Sequence, residues 1–256
     1  MFKFYMVGGS VRDKLLDIPC NDIDYMVITQ ADIDINEAFE NLSNYLLSNN
    51  HIIYQKIPEC LAIKAKNKDT NQIIDYVFAR KDVVYDNNSR KPIVKLGTLE
   101  DDLMRRDFTL SLNGQVKLGA LIPGFTINAL AMSNDTNEII DVCNGLFDLD
   151  NKILRTITDP KISLLDDPLR IIRGLRFSIV LDFNLTDDFF EALADPNIWK
   201  KFIQVVSNER IRDELGKMFS KNTVKSLELL HKIREINHEA YEVLFKNINL
   251  KPIVKI

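Results

Sequence analysis

Cysteine is scarce in this chain of 256 residues: Cys20, Cys60 and Cys143 are odd in number and far apart. They make neither a disulfide framework nor a zinc pattern, which fits a reducing, cytoplasmic setting. Long hydrophobic runs are missing as well. The apolar start Met1-Phe2-Lys3-Phe4-Tyr5-Met6-Val7 is too short for a membrane span or a secretory signal and runs straight into Gly8-Gly9, so no membrane partner is expected. Histidine is down to His51, His231 and His238, which form no hydrolase-like cluster. Excess positive charge is also absent. A formal net charge of −4 argues against indiscriminate binding along nucleic acid, yet a local basic face would still suffice for RNA. No internal repeat, low-complexity segment or flexible linker stands out. What the chain has is apolar substance, 46% of its residues, enough for one large or two small cores.

It also has Gly8-Gly9-Ser10-Val11-Arg12-Asp13 followed shortly by Asp22-Ile23-Asp24. A glycine turn can bring backbone amides up to a triphosphate, and in a strand Asp22 and Asp24 share one face. Two carboxylates that close repel each other strongly unless a cation sits between them. Gly-Gly alone is usually a tight turn, and Asp-x-Asp alone a solvated strand end. Together, with Tyr25-Met26-Val27-Ile28 continuing the strand, they point to nucleotidyl transfer.

The surrounding pattern is mixed. Strands are expected over 3–7, 22–29, 61–65, 73–79, 126–132 and 138–142, and helices over 10–16 and 35–48, the latter with Phe39, Leu42 and Leu46 on one face. Asp75 lies where a third acidic residue of the sheet could stand. The polar stretch 82–91 reads as a mobile loop. From about Ile162 the pattern becomes helical: Asp166-Asp167-Pro168 offers an aspartate N-cap and a first-turn proline, and amphipathic helices follow over 208–219 and 222–236.

Residues 7–27 resemble motif A of the class II tRNA nucleotidyltransferases and bacterial poly(A) polymerases, members of the DNA polymerase β-like superfamily. Further motifs occur in family order across roughly residues 3–220. The run Gly97 to Thr109, with Arg105-Arg106-Asp107-Phe108-Thr109 at its end, resembles the segment that leads into motif B, Asp141-Val142-Cys143-Asn144-Gly145 the hinge-like motif C, Asp166-Asp167-Pro168-Leu169-Arg170 motif D, and Asn208-Glu209-Arg210-Ile211-Arg212 motif E. The resemblance implies an α+β fold: a polymerase β-like palm with a mixed sheet over residues 1–150, then an all-helical neck and truncated body over 151–256.

It also implies an activity: addition of CMP and AMP, from CTP and ATP, to the 3′ end of tRNA. Asp22 and Asp24 would hold two Mg2+ ions. Gly8, Gly9, Ser10 and Arg12 would grip phosphates, and Arg105, Arg106, Asp107 and Asn128 would hold the incoming ribonucleotide. Asp167 and Arg170 would read the base edge, with Asp166 in place of the family's glutamate and Asp167 also suited to capping. Arg173 and Arg176 would extend a cationic face that meets phosphate or solvent.

Two departures qualify this. The family's Phe-Thr-Ile-Asn-Ala-Leu-Ala run is split here, because Phe108-Thr109 is separated from Phe125-Thr126-Ile127-Asn128-Ala129-Leu130-Ala131 by an apparent insertion over 109–125. Its Asn113-Gly114 step between short apolar stretches suggests a hairpin. That hairpin could leave the site intact, displace the arginines from Asn128, or be absent from the working product. The chain is also short for the family, which usually carries further helical domains for the tRNA elbow. A-only, C-only or poly(A)-type tailing, and an inactive RNA-binding homologue, therefore stand as alternatives.

Overall fold

Alternating apolar side chains turn the first third of the chain into a sheet with one helix laid across it. A computed structural model describes residues 2–20, 23–29, 33–85, 92–103 and 124–245, and the chain divides into two units, 1–146 and 147–256. The first unit runs β1 (Lys3–Val7), α1 (Gly9–Leu15), β2 (Ile23–Ile28), α2 (Ile35–Ser48), β3 (His51–Ile57), β4 (Ala62–Asn67), β5 (Ile73–Phe78), β6 (Arg80–Tyr85), β7 (Pro92–Leu96), α3 (Leu99–Leu103), β8 (Leu130–Ser133) and β9 (Ile139–Asp141). Seven of these strands form one mixed sheet in the order β3-β4-β5-β2-β1-β8-β9, with β2 and β5 parallel. β6 and β7 pair with each other as a separate antiparallel ribbon.

The two faces of the sheet have different work. On one, Val27, Ile63, Ala65, Ile74, Tyr76 and Phe78 pack against Ala38, Phe39, Leu42 and Leu46 of α2. Each such large side chain contributes about 1.5–3 kcal/mol by leaving water. Asp34 starts α2 by accepting from the Asn36 and Glu37 amides at 2.8 and 3.3 Å. Burial raises the Tyr76 phenol well above its ordinary value, and Tyr25 and Tyr45 push the same way. On the other face Val7, Met26, Ala79 and Ala131 pack with Leu103 of α3, and that is the face to which the register assigns Asp24 and Asp75.

The second unit is built from α4 (Gly145–Asp150, which starts in the first unit), α5 (Pro160–Asp166), α6 (Leu169–Leu181), α7 (Asp187–Ala192), α8 (Pro196–Val205), α9 (Asn208–Lys221), α10 (Thr223–Ile236) and α11 (His238–Phe245). A parallel pair of two-residue strands, β10 (Ile153–Leu154) and β11 (Asn184–Leu185), interrupts the otherwise helical pattern. Ile171, Leu175, Phe189, Trp199, Phe202, Leu215 and Leu230 are among its buried side chains.

Several local expectations need correction. The stretch read as a strand over 126–132 begins as a 3-10 turn, Thr126–Asn128, and only Leu130–Ser133 is strand. The polar stretch 82–91 is not a loop throughout: its first four residues complete β6, while 86–91 lie outside the described residues. Strand β3 was not expected. Asp166 ends α5 instead of opening α6; Asp167 still supports the α6 start, accepting the Leu169 amide at 3.2 Å. The insertion is outside the described residues except for Gly124 and Phe125.

Candidate active site

Gly8 sits where β1 ends, at φ 72°, a left-handed conformation that only glycine adopts without strain. Its N–H donates to the Leu130 carbonyl at 3.1 Å, and its own carbonyl accepts the Val11 and Arg12 amides at 3.2 and 3.3 Å. The amides of Gly9 and Ser10, the first two of α1, are left without an intrahelical acceptor, which suits them to an anion. The Ser10 hydroxyl is buried and donates to the Val7 carbonyl at 2.7 Å, so its side chain serves the turn.

Arg12 is the hub of this turn. Its Nη1 donates to Asn128 Oδ1 at 2.7 Å, and its Nε and Nη2 both donate to Asp13 Oδ1, at 2.8 and 2.6 Å. Gly9 makes room for it: a Cβ there would stand 3.2 Å from Arg12 Nη2. Arg12 and Asn128 are 116 residues apart in sequence, so the contact joins motif A to the far side of the insertion. Thr126–Asn128 thus reaches Arg12 with the extra segment present in the chain.

The carboxylates come from the sheet. The β1–β2 register places Asp24 one step beyond the Met6–Tyr25 pair, level with the end of β1 where the glycine turn begins. Asp24 and Asp75 are direct neighbours on parallel strands, hence on one face. Lys64 continues the row on β4, its Nζ 3.3 Å from Asp75 Oδ1. The row therefore reads Asp24, Asp75, Lys64, and the lysine offsets one of the two negative charges. Among the described residues no group of three or more His, Cys, Asp or Glu converges as a complete metal cage. An oxygen-only row fits a hard divalent cation that takes one or two carboxylates and completes its shell with water and phosphate oxygens. Asp75 is the further carboxylate that the register sets beside Asp24. Asp22, Arg105, Arg106 and Asp107 lie outside the described residues.

The other predicted group belongs to the second unit. Asp167 N–H donates to the Ser163 carbonyl at 3.1 Å, and its carboxylate accepts the Leu169 amide, as above. Arg170 is 2% exposed, and its Nη1 donates to both the Ser163 carbonyl and Oγ, at 2.9 and 3.0 Å. It ties α6 to α5. Arg173 is buried near the Phe177 ring, while Arg176 stacks on that ring at 4.0 Å and is paired through Nε with Glu214 of α9. The three arginines expected to share an open face therefore divide: two are interior, and one is half-buried.

Because Asn128 offers Arg12 its acceptor in a buried setting, Asn128→Ala is expected to cost about 1–3 kcal/mol at that contact. We expect this as a roughly tenfold or greater rise in KM for the nucleoside triphosphate, with kcat changed less. Steady-state kinetics beside a thermal melt checks it; an unchanged KM would show that Arg12 does not need this anchor.

The model of the Poly A polymerase head domain matches residues 4–122 and 120–155. The tRNA nucleotidyltransferase cca2 of Schizosaccharomyces pombe is 32% identical over 237 residues, which span 88% of this chain and 45% of that protein. The CCA-adding enzyme of Streptococcus thermophilus is 30% identical over 217 residues, 85% of this chain and 46% of that one. A crystal structure of a tRNA nucleotidyltransferase complexed with a primer tRNA and an incoming ATP analog superposes with a TM-score of 0.68 at 25% identity, covering 98% of this chain and 61% of that one. The chain spans about half the length of the curated relatives it matches.

Proposed function

The chain belongs to the Poly A polymerase head domain family, and from that premise we propose that it adds CMP and AMP, taken from CTP and ATP, to the 3′ end of tRNA. The observation that carries this reading is the convergence of the Gly8 turn, the Arg12–Asn128 contact and Asp24 at one end of β1 and β2. The names of its relatives support the same substrate: CCA-adding enzymes, and a neighbour bound to primer tRNA and an ATP analog.

In the reaction the acceptor 3′ oxygen bonds to the α-phosphorus as the bond from that phosphorus to pyrophosphate breaks. Asp22 and Asp24 are the residues that would hold Mg2+, with Asp75 beside them. The metal, when bound, acidifies the attacking hydroxyl and offsets charge on the leaving pyrophosphate. The Gly9 and Ser10 amides and Arg12 bind triphosphate oxygens, and Asn128 fixes the angle at which Arg12 presents its guanidinium. Gly8 contributes the backbone turn. Arg105, Arg106 and Asp107 are assigned to the ribonucleotide. Asp167 and Arg170 are assigned to the base edge, and among the described residues the second carboxylate oxygen of Asp167 is not engaged. Arg170 and Arg173 support that corner from within. The few, widely spaced cysteines Cys20, Cys60 and Cys143 support a cytoplasmic setting, and no helix among the described residues is long and apolar enough to cross a membrane.

The test is incorporation of labelled CTP and ATP, separately and together, into tRNA ending before the CCA. The full chain is run beside a version lacking residues 109–125. Addition of C, C and A by the full chain is expected. Incorporation of A alone or C alone would narrow the activity, and failure of both versions would overturn the substrate assignment.

A further inference from the structure

We propose that a cation-lined groove between α6 and α9 takes the sugar-phosphate backbone of the RNA acceptor, an inference that rests on the transferase reading above. The groove holds about 670 Å³ and is open to solvent along its length. Arg176, Arg212, Lys217 and Lys221 line it, with Asp213 the lone carboxylate among its lining residues. In a chain of formal net charge −4, four cations against one anion is a local reversal of sign. Arg176 is already paired with Glu214, but Arg212, Lys217 and Lys221 are exposed and none forms an ion pair among the described residues. Exposed cations left unpaired along one groove create the positive potential that a polyanion needs, and each phosphate neutralised releases counterions.

The floor of the groove supplies a second reason. Gly216 lies in the middle of α9, where glycine costs the helix about 1 kcal/mol against alanine. Its conformation does not require glycine, and a Cβ built there would meet nothing within 4 Å. No packing within the chain explains it. A glycine facing open space beside Arg212, Lys217 and Lys221 leaves the helix backbone approachable by a bulky ligand. The Ser220 hydroxyl, on the same lining, adds a neutral donor for a phosphate or ribose oxygen.

Two variants of the full chain test this by fluorescence anisotropy with a labelled tRNA lacking its CCA, across a range of salt. In Arg212→Gln/Lys217→Gln/Lys221→Gln the RNA affinity should fall at least tenfold, and the slope of log K against log salt should flatten by roughly two. In Gly216→Leu the charge is intact but a side chain enters the groove, and affinity should again fall. KM for the nucleoside triphosphate should stay unchanged in both, because neither touches Arg12 or Asp24. Wild-type affinity and salt slope in both variants would overturn the groove while leaving the transferase reading in place. Unchanged RNA binding with lowered thermal stability would assign the groove to a protein segment instead and overturn it equally. If the unmodified chain neither binds this RNA nor extends it, the transferase reading fails and the groove proposal with it.

Discussion

Replacing Asp24 by alanine is expected to lower nucleotide incorporation at least about a thousandfold, some 4 kcal/mol of transition-state stabilisation, while the fold is kept. The two halves of that expectation come from the place of Asp24 in the sheet. Asp24 stands beside Asp75 on parallel strands, and the Lys64 ammonium is ion-paired with Asp75 at 3.3 Å. A second carboxylate beside Asp75 brings repulsion to that face, and a cation held between the two would offset it. Removing Asp24 would take away a ligand of such a cation, while the backbone that carries it stays in the sheet. Its backbone place is secure, since β2 is paired on both edges, with β1 and β5. Asp24→Asn separates charge from shape: it keeps the volume and loses the anion. If Asp24→Asn retained more than a tenth of wild-type incorporation at saturating magnesium, the carboxylate would not be a metal ligand and the transferase assignment would lose its centre.

How much of this could be read from the residues themselves depends on how local each signal is. β1, α2 and β5 follow from short-range patterns, with a short apolar run for β1, an aspartate cap for α2 and alternating burial in β5. The row Asp24–Asp75 was half legible: the strand assignment put Asp24 on a face, but only the parallel pairing of β2 with β5 makes Asp75 its neighbour. β3 escaped notice because its alternation is broken by a shift between Ile53 and Gln55, and because Asn50, at φ 61°, turns helix into strand with almost no loop. The 3-10 turn at Thr126 escaped for the opposite reason: Thr126 and Asn128 alternate with Phe125 and Ile127 as they would in a strand, although all four are buried. In 82–91 the charges outweighed Val83-Val84-Tyr85, three good strand formers that go into β6. Arginine spacing was the least informative. A three-residue period sets the order of Arg170, Arg173 and Arg176 along α6, but burial depends on α5, whose Ser163 claims Arg170 across the corner.

Gly145→Ala is expected to cost about 3 kcal/mol of stability, a drop in melting temperature of roughly 10 °C, and to raise KM for the nucleoside triphosphate as Asn128→Ala does. Asn144-Gly145 reads as an ordinary turn in which glycine takes the left-handed conformation, but here Asn144 takes it, at φ 59°. Gly145 is required for another reason. A Cβ there would lie 2.4 Å from the Thr126 carbonyl oxygen and 3.0 Å from its carbon, both backbone atoms that cannot swing aside. Neither side has slack. Asp141 holds Gly145 by accepting the amides of Cys143, Gly145 and Leu146 at 3.1, 2.9 and 2.9 Å. Opposite, the Thr126 carbonyl accepts the Ala129 amide at 3.0 Å, closing the turn that carries Asn128. A methyl group must therefore push that turn outward, and Asn128 Oδ1 is what Arg12 Nη1 donates to at 2.7 Å. Gly216→Ala is the control: it adds the same methyl in open space at mid-helix and should stabilise by up to about 1 kcal/mol with KM for the triphosphate unchanged. Should Gly145→Ala melt with the wild type and keep its KM, the Thr126 turn would be free to move, and Arg12 would not take its orientation from Asn128.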